Sequence, residues 1–158
     1  MAPPLQISTS LLAHIMRLAR AMRDEQCGIL RGRGGWISVA DRAANISPNP
    51  QDSFEIDPAA LLAAYRAARA PGALELLGFY HTHPYGGAAP SMRDAQGASA
   101  DGKLWLIAAR EEAMIWQAVE EGELFGRFDR VAFDVIIGKR PLARLTSVSW
   151  QQLCEYGA

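Results

Sequence analysis

The sequence predicts a single α/β domain in which a mixed central sheet is flanked by helices. Three observations carry this expectation. The chain has 158 residues, 49% apolar and 21% charged, the balance of one globular domain with one real core. Segments of helical periodicity alternate with short strand-like runs. The run "LELLGFYHTH", residues 74–83, is apolar on both faces, as befits a central strand covered from both sides. No internal repeat, low-complexity tract or linker breaks the pattern.

Taken in order, Ser10 to Arg23 read as an amphipathic helix, with Leu11, Ile15, Leu18 and Met22 on one stripe and Arg17, Arg20 and Asp24 opposite. Ser8, Thr9 or Ser10 can cap it, and His14 lies at the stripe's edge as a boundary residue. "CGILRGRGGWISVADRAAN" reads as two strands joined by a Gly-rich turn at Arg31 to Gly35, with Gly28 permitting close strand packing. That turn is not a phosphate loop, because no G-K-[ST] follows and a strand comes next. After the polar loop "ISPNPQDS", Asp57 as N-cap and Pro58 at the first position start a second helix, which Pro71-Gly72 ends.

Beyond the central strand, "PYGGAAP" is a loop and "SMRDAQGAS" opens a short helix. "KLWLIAAR" and "AMIWQAVEEG" are strands, and "ELFGRFDRVAFDVII" contains one more. Tyr80, Trp105 and Trp116 are expected in the core. The last stretch, "GKRPLARLTSVSWQQLCEYGA", is read as a further strand with a terminal helix starting near Ser149.

Sixteen basic against 17 acidic residues give a net charge of -1, so there is no electrostatic footprint for nucleic acid. Arg17, Arg20 and Arg23 have the spacing of a solvated helix face. No stretch approaches the roughly 18 consecutive apolar residues of a membrane span, and "MAPPLQIS" is not a secretory signal. Two cysteines without a C-x-x-C point to a reducing cytoplasm, so any metal must be held by histidine and carboxylate.

The chemistry concentrates in "GFYHTHPYGGAAPSMRDA". On a strand, His81 and His83 point the same way and Thr82 the opposite way. Two imidazoles at the carboxyl end of a central strand sit where α/β sheets place ligands, although a pair of hydrogen-bonded core histidines is the competing reading. Ser91 and Asp94 form S-x-x-D, which is complete as a capping box. Asp94 is also a candidate third ligand, and two histidines with one aspartate leave an open position for water on a tetrahedral zinc. If the metal takes that carboxylate, the cap must lose it. A water-activating base would come from Glu25 or its neighbour Asp24.

"E-Q-C-G-I-L" followed by "H-T-H-P-Y-G-G-A-A-P-S-M-R-D" resembles the JAMM (MPN-plus) metalloprotease family, whose motif is a glutamate, then H-x-H-P, then a serine and an aspartate at these spacings. "DSFEIDP", "GKLWLIAA" and "GRFDRV" extend the likeness to the family's compact prokaryotic branch. The resemblance implies a single MPN-type domain of deaminase-like architecture over residues 1–138. Residues 139–158 are then a C-terminal extension packing on it. It implies one Zn2+ per chain on His81, His83 and Asp94, and it selects Glu25 over Asp24 as the general base. Ser91 would donate to the oxyanion. Tyr85, in the loop after Pro84, is the candidate for substrate contact, and Cys27 is a small packed residue beside the site.

The implied substrate is the C-terminal tail of a ubiquitin-like or sulfur-carrier protein, with trimming of the tail slightly favoured over deconjugation. The alternative function is a non-catalytic MPN-type interaction module with a structural metal, which would require neither Glu25 nor Ser91. A zinc deaminase would need H-x-E and P-C-x-x-C, and a helical zincin H-E-x-x-H; the chain has none of these. The C-terminal extension is expected to cover a sheet edge, with a homodimer contact as an alternative.

Overall fold

The computed structural model describes residues 3–157. Its elements are β1 (Gln6–Ser8), α1 (Thr9–Ala21), β2 (Cys27–Arg33), β3 (Trp36–Ala43), α2 (Pro58–Ala67), β4 (Glu75–His83), α3 (Met92–Gly97), β5 (Leu104–Ala109), β6 (Glu112–Gly122), β7 (Gly126–Val131), β8 (Phe133–Ile137), β9 (Arg140–Leu145), β10 (Val148–Ser149) and α4 (Trp150–Glu155). The strands form one mixed sheet in the order β10-β6-β5-β4-β2-β3-β1-β8-β9, and β7 pairs with β6 outside that path. As expected, β4 is central, antiparallel to β2 and parallel to β5.

The two faces of the sheet differ in character. Against one face, α1 and α4 seal an apolar core with Leu12, Ile15, Met16, Tyr80, Leu106 and Leu153. Against the other, Trp105, Ile107, Trp116 and Phe128 form a second cluster with Ala95 of α3. Alternation along β4 sends Tyr80 and Thr82 to the α1 side and Phe79, His81 and His83 to the α3 side. The histidines therefore stand on an apolar wall whose back is closed.

Two expectations are corrected, and one strand is added. The region 123–137 holds two strands rather than one: β7 pairs with β6, whereas β8 pairs with β1 on the far side of the sheet. The N-terminus contributes β1, which lies between β3 and β8. The stripe of α1 is also rotated. Leu12, Ala13, Ile15, Met16 and Ala19 are buried, Leu11 and Leu18 are half-buried, and Met22 lies beyond the helix at its C-cap. Small residues permit this, because Ala13 and Ala19 let the helix approach the sheet closely.

Caps fall where the sequence places them, at Ser8, Asp57, Ser91 and Ser149. After β8 the chain adds β9 beside it, returns as β10 against β6, and ends with α4 on α1. Arg17 and Arg20 are not simply solvated: their guanidinium groups lie 5.8 and 4.8 Å from the Trp150 ring centroid.

Close packing in the centre depends on Gly28. A Cβ there would lie 2.1 Å from the Asp41 carbonyl oxygen and 2.3 Å from the Tyr80 ring. Gly28→Ala is expected to destabilise the fold by about 2–3 kcal/mol in urea unfolding. Gly97→Ala, where a Cβ meets nothing within 4 Å, should stay within about 0.5 kcal/mol of the wild type.

Candidate metal centre

The end of β4 and the start of α3 build the centre. His81 and His83 project from the same strand face with their Nε2 atoms 3.0 Å apart. The carbonyl of Gly87 accepts from His83 Nδ1 at 2.8 Å. A carbonyl can only accept, so His83 carries a proton on Nδ1 and, when neutral, has its lone pair on Nε2, facing His81. That is the tautomer a metal ligand needs. His81 is fully buried; Phe54 stacks on its ring at 4.2 Å between centroids, and Trp105 meets it edge-on at 5.7 Å. Its Nδ1 has no hydrogen-bond partner.

Asp94 reaches the histidines from α3. Its Oδ1 lies 3.3 Å from His81 Nε2 and its Oδ2 3.4 Å from His83 Nε2. It is also a full member of the capping box. Ser91 N donates to Asp94 Oδ2 at 2.7 Å, and Asp94 N donates to Ser91 Oγ at 3.0 Å. The competition foreseen between cap and metal is thus eased by the two oxygens of one carboxylate: Oδ2 serves the cap while Oδ1 faces His81. Because Ser91 Oγ accepts at the cap, its own hydrogen is free to donate elsewhere.

Glu25 stands just before β2, with only 5% of its surface exposed, whereas Asp24 is exposed. Thr82, between the histidines, draws it in from the opposite face of β4. Gln26 N donates to Thr82 Oγ1 at 2.8 Å, and Thr82 N donates to Gln26 O at 2.9 Å. Glu25 Oε1 ends 4.0 Å from His83 Nε2, farther out than Asp94, and Oε2 has no hydrogen-bond partner.

The electrostatics follow from this crowding. Burial pushes the Glu25 carboxyl up to about 7, with His83 opposing the shift and Asp94 adding to it. Burial alone would raise Asp94 too, but the two histidines and the Ser91 N–H reverse that and hold it well below the usual carboxylate range. Burial lowers His81 despite Asp94. For His83, burial is outweighed by Asp94, the Gly87 carbonyl and Glu25, so it is raised. Burial and the nearby Glu25 push Cys27 up to about 11, an inert packed thiol rather than a nucleophile.

These donors fit a cation. Glu25, His81 and His83 offer ligand atoms within 4.8 Å of one another. The pairs His81–His83, His81–Asp94 and His83–Asp94 are closer, at 3.0 Å between the nitrogens, 3.3 Å from His81 to Oδ1 and 3.4 Å from His83 to Oδ2. A tetrahedral ion with bonds of about 2.0–2.1 Å has ligand–ligand edges of about 3.3–3.4 Å. A cation would take the place of the proton shared between the two Nε2 atoms.

Two of the cavities border the centre. One, of about 300 Å3, is lined by Glu25, His83, Ser91 and the exposed Tyr85, together with Asp52 and Gly87. The other, of about 440 Å3 and mostly apolar, lies between α2 and α3 and is lined by Phe54, Ile56, Leu61, Phe79, Trp105 and Asp94. The sequence gives Phe54 and Asn45 no role at the site and sets Thr82 opposite the histidines without assigning it one. The alternation that sets Thr82 opposite the histidines was a usable signal for it; the other two lie in or beside a loop without periodicity.

The raised carboxyl of Glu25 has a consequence for metal-free protein. A carboxyl at about 7 in the fold and 4.5 in the open chain favours the folded state fully below pH 4.5. That contribution fades as pH rises and is gone above 7. Glu25→Gln, neutral throughout, is therefore expected to be more stable than wild type at pH 8 by as much as about 3 kcal/mol, and equal to it near pH 4. Denaturant titrations in chelator at both pH values read the difference.

Comparison with known proteins agrees with the fold. Residues 8–120 match the family described as prokaryotic homologs of the JAB domain. A desampylase from Haloferax volcanii is 30% identical over 105 residues, which cover 63% of this chain and 75% of that protein. A "Probable TtuB-protein conjugate cleaving protease" from Thermus thermophilus is 46% identical over 86 residues, 54% of this chain and 55% of the relative. Among solved structures, a Desulfitobacterium hafniense protein has a TM-score of 0.68 at 24% identity, covering 86% of this chain and 94% of that one. A JAB1/MPN domain protein from Archaeoglobus fulgidus has a TM-score of 0.51 at 18% identity, covering 84% and 97%. At these identities the two structures speak for the fold alone. With the family match spanning well over half of its length, the chain belongs to the prokaryotic JAB-domain family.

Proposed function

We propose that this chain is a zinc-dependent isopeptidase that cleaves an amide bond at the C-terminal tail of a ubiquitin-like or sulfur-carrier protein. The observation that carries the reading is the convergence of His81 Nε2, His83 Nε2 and the Asp94 carboxylate, each pair within 3.4 Å of one another. Glu25 and Ser91 line the cavity beside it. His81, His83 and Asp94 would hold one zinc per chain. When bound, zinc supplies Lewis acidity and lowers the pKa of a water to about 7.

The chain's own residues do the rest. Glu25 takes a proton from the attacking water as its oxygen bonds to the scissile carbonyl carbon. It then gives that proton to the leaving amine as the C–N bond breaks. A carboxyl with a pKa of about 7 before a cation is bound is matched to both halves of that exchange. The Ser91 hydroxyl, its hydrogen free of the cap, donates to the oxyanion. Tyr85, 62% exposed on the same cavity, contacts the substrate. The apolar cavity beyond Asp94 takes an apolar stretch of the tail.

The relatives' names favour release of a conjugated protein over trimming of a free tail, and Glu25, Ser91 and all three ligands come from one chain, so a homodimer is not required. Cys27 and Cys154 are both free, which suits a cytoplasmic enzyme. Among the described residues no helix is long and apolar enough to cross a membrane.

Intact-mass analysis of an isopeptide-linked ubiquitin-like conjugate, incubated with zinc-loaded protein, tests the proposal. Wild type is expected to release both products, and chelator or Glu25→Gln to abolish release, the latter with metal retained. Ser91→Ala should slow turnover by about 100-fold. His81→Ala and His83→Ala should lose the metal. Unchanged metal content in these two, or full activity in Glu25→Gln, would overturn the assignment.

A further inference from the structure

Asn45 ties the residue facing the histidines to the loop that follows β3. Its Nδ2 donates to Glu25 O at 2.9 Å and to Ser53 O at 3.0 Å. Its Oδ1 accepts from Ser47 N and Glu55 N, each at 3.0 Å. Two donors and two lone pairs are all that a side-chain amide has, and every one is used. The same loop reaches the other main-chain group of Glu25, since Glu25 N donates to Pro50 O at 2.6 Å.

These bonds matter because Glu25 lies outside the sheet. The ladder of β2 begins only at Cys27. With Oε2 unpartnered, the Glu25 side chain is held by no hydrogen bond at that oxygen, and its position is set largely through its main chain. The loop also delivers Phe54 to the face of His81, so one amide ties together the segments carrying the base and the ring that packs on a histidine.

We propose that Asn45 is a positioning residue for hydrolysis: its paired donors fix the Glu25 main chain to the loop 44–57 and so set the reach of the Glu25 carboxylate towards His83. This rests on the assignment of Glu25 as the base. Two substitutions separate the positioning role from loop-building. Asn45→Ala removes all four bonds. Asn45→Asp keeps an acceptor for Ser47 N and Glu55 N, which close the loop on itself, and loses both donors.

Each variant is assayed on the conjugate with the zinc-loaded full chain, beside metal content and thermal unfolding. Both are expected to lower kcat by about 10- to 100-fold, with KM within about twofold and one metal per chain retained. Asn45→Asp should be no better than Asn45→Ala. Wild-type kcat in Asn45→Asp would overturn the proposal, because the donor to Glu25 O would then be idle. So would a loss of activity matched by a loss of metal, which would mark Asn45 as a purely structural residue. If wild type cleaves no conjugate, the isopeptidase reading fails instead. A crystal structure of Asn45→Asp then decides the positioning role separately: a Glu25–His83 separation altered from 4.0 Å supports it, and an unchanged one overturns it.

Discussion

Two imidazoles and two carboxylates held in one desolvated volume are the constraint on which the rest of this structure depends. The Nε2 atoms of His81 and His83 are 3.0 Å apart, both oxygens of Asp94 lie within 3.4 Å of one or the other, and Glu25 closes to 4.0 Å. Burial of unpaired charge costs several kcal/mol. Asp94 offsets this through the Ser91 N–H and the histidines, whereas Glu25 has no hydrogen bond at one oxygen and rises to about 7. Such a cluster persists only on a stiff support. The support is β4, paired on both edges, with Tyr80 and Thr82 packed into the sealed opposite face.

That arrangement explains which parts of the site could be read from the sequence. His81 with His83, and Ser91 with Asp94, are local relations: two residues apart on a strand, and three apart across a helix start. Strand alternation and capping geometry fix them without knowledge of the rest of the fold. Glu25 is different. Its side chain turns inward, and that of Asp24 outward, because Gln26 bonds to Thr82, 56 residues away, and because Asn45 and Pro50 hold its main chain. No local rule separates the two acids, and only the family resemblance did so.

The fold divides in the same way. Helix starts were legible because Ser8, Asp57, Ser91 and Ser149 act within one turn of themselves. The break between β7 and β8 was not, since no glycine or proline lies between Val131 and Phe133 and both sides have strand character. What parts them is tertiary: one pairs with β6 and the other crosses to β1. The rotation of α1 has a similar cause. Large residues draw the eye to Leu11 and Leu18, but closeness of approach favours the face that carries Ala13 and Ala19.

The site thus has two kinds of foundation. His81 and His83 sit on a ladder and Asp94 on a cap, so their mutual distances are fixed by regular backbone. Glu25 and the lining of the neighbouring cavity depend on loops, chiefly residues 44–57, with 84–90 anchored by Ala88 N donating to Glu112 and Trp116 Nε1 donating to Ala88 O. Regular structure admits little variation without loss of the fold, whereas loops of this length accept substitution and change of length. A chain built this way can keep the spacing of His81, His83 and Asp94 while its loops alter the depth of the cleft and the position of Glu25. The histidine pair is held by the sheet, and variation is left to the segments between its strands.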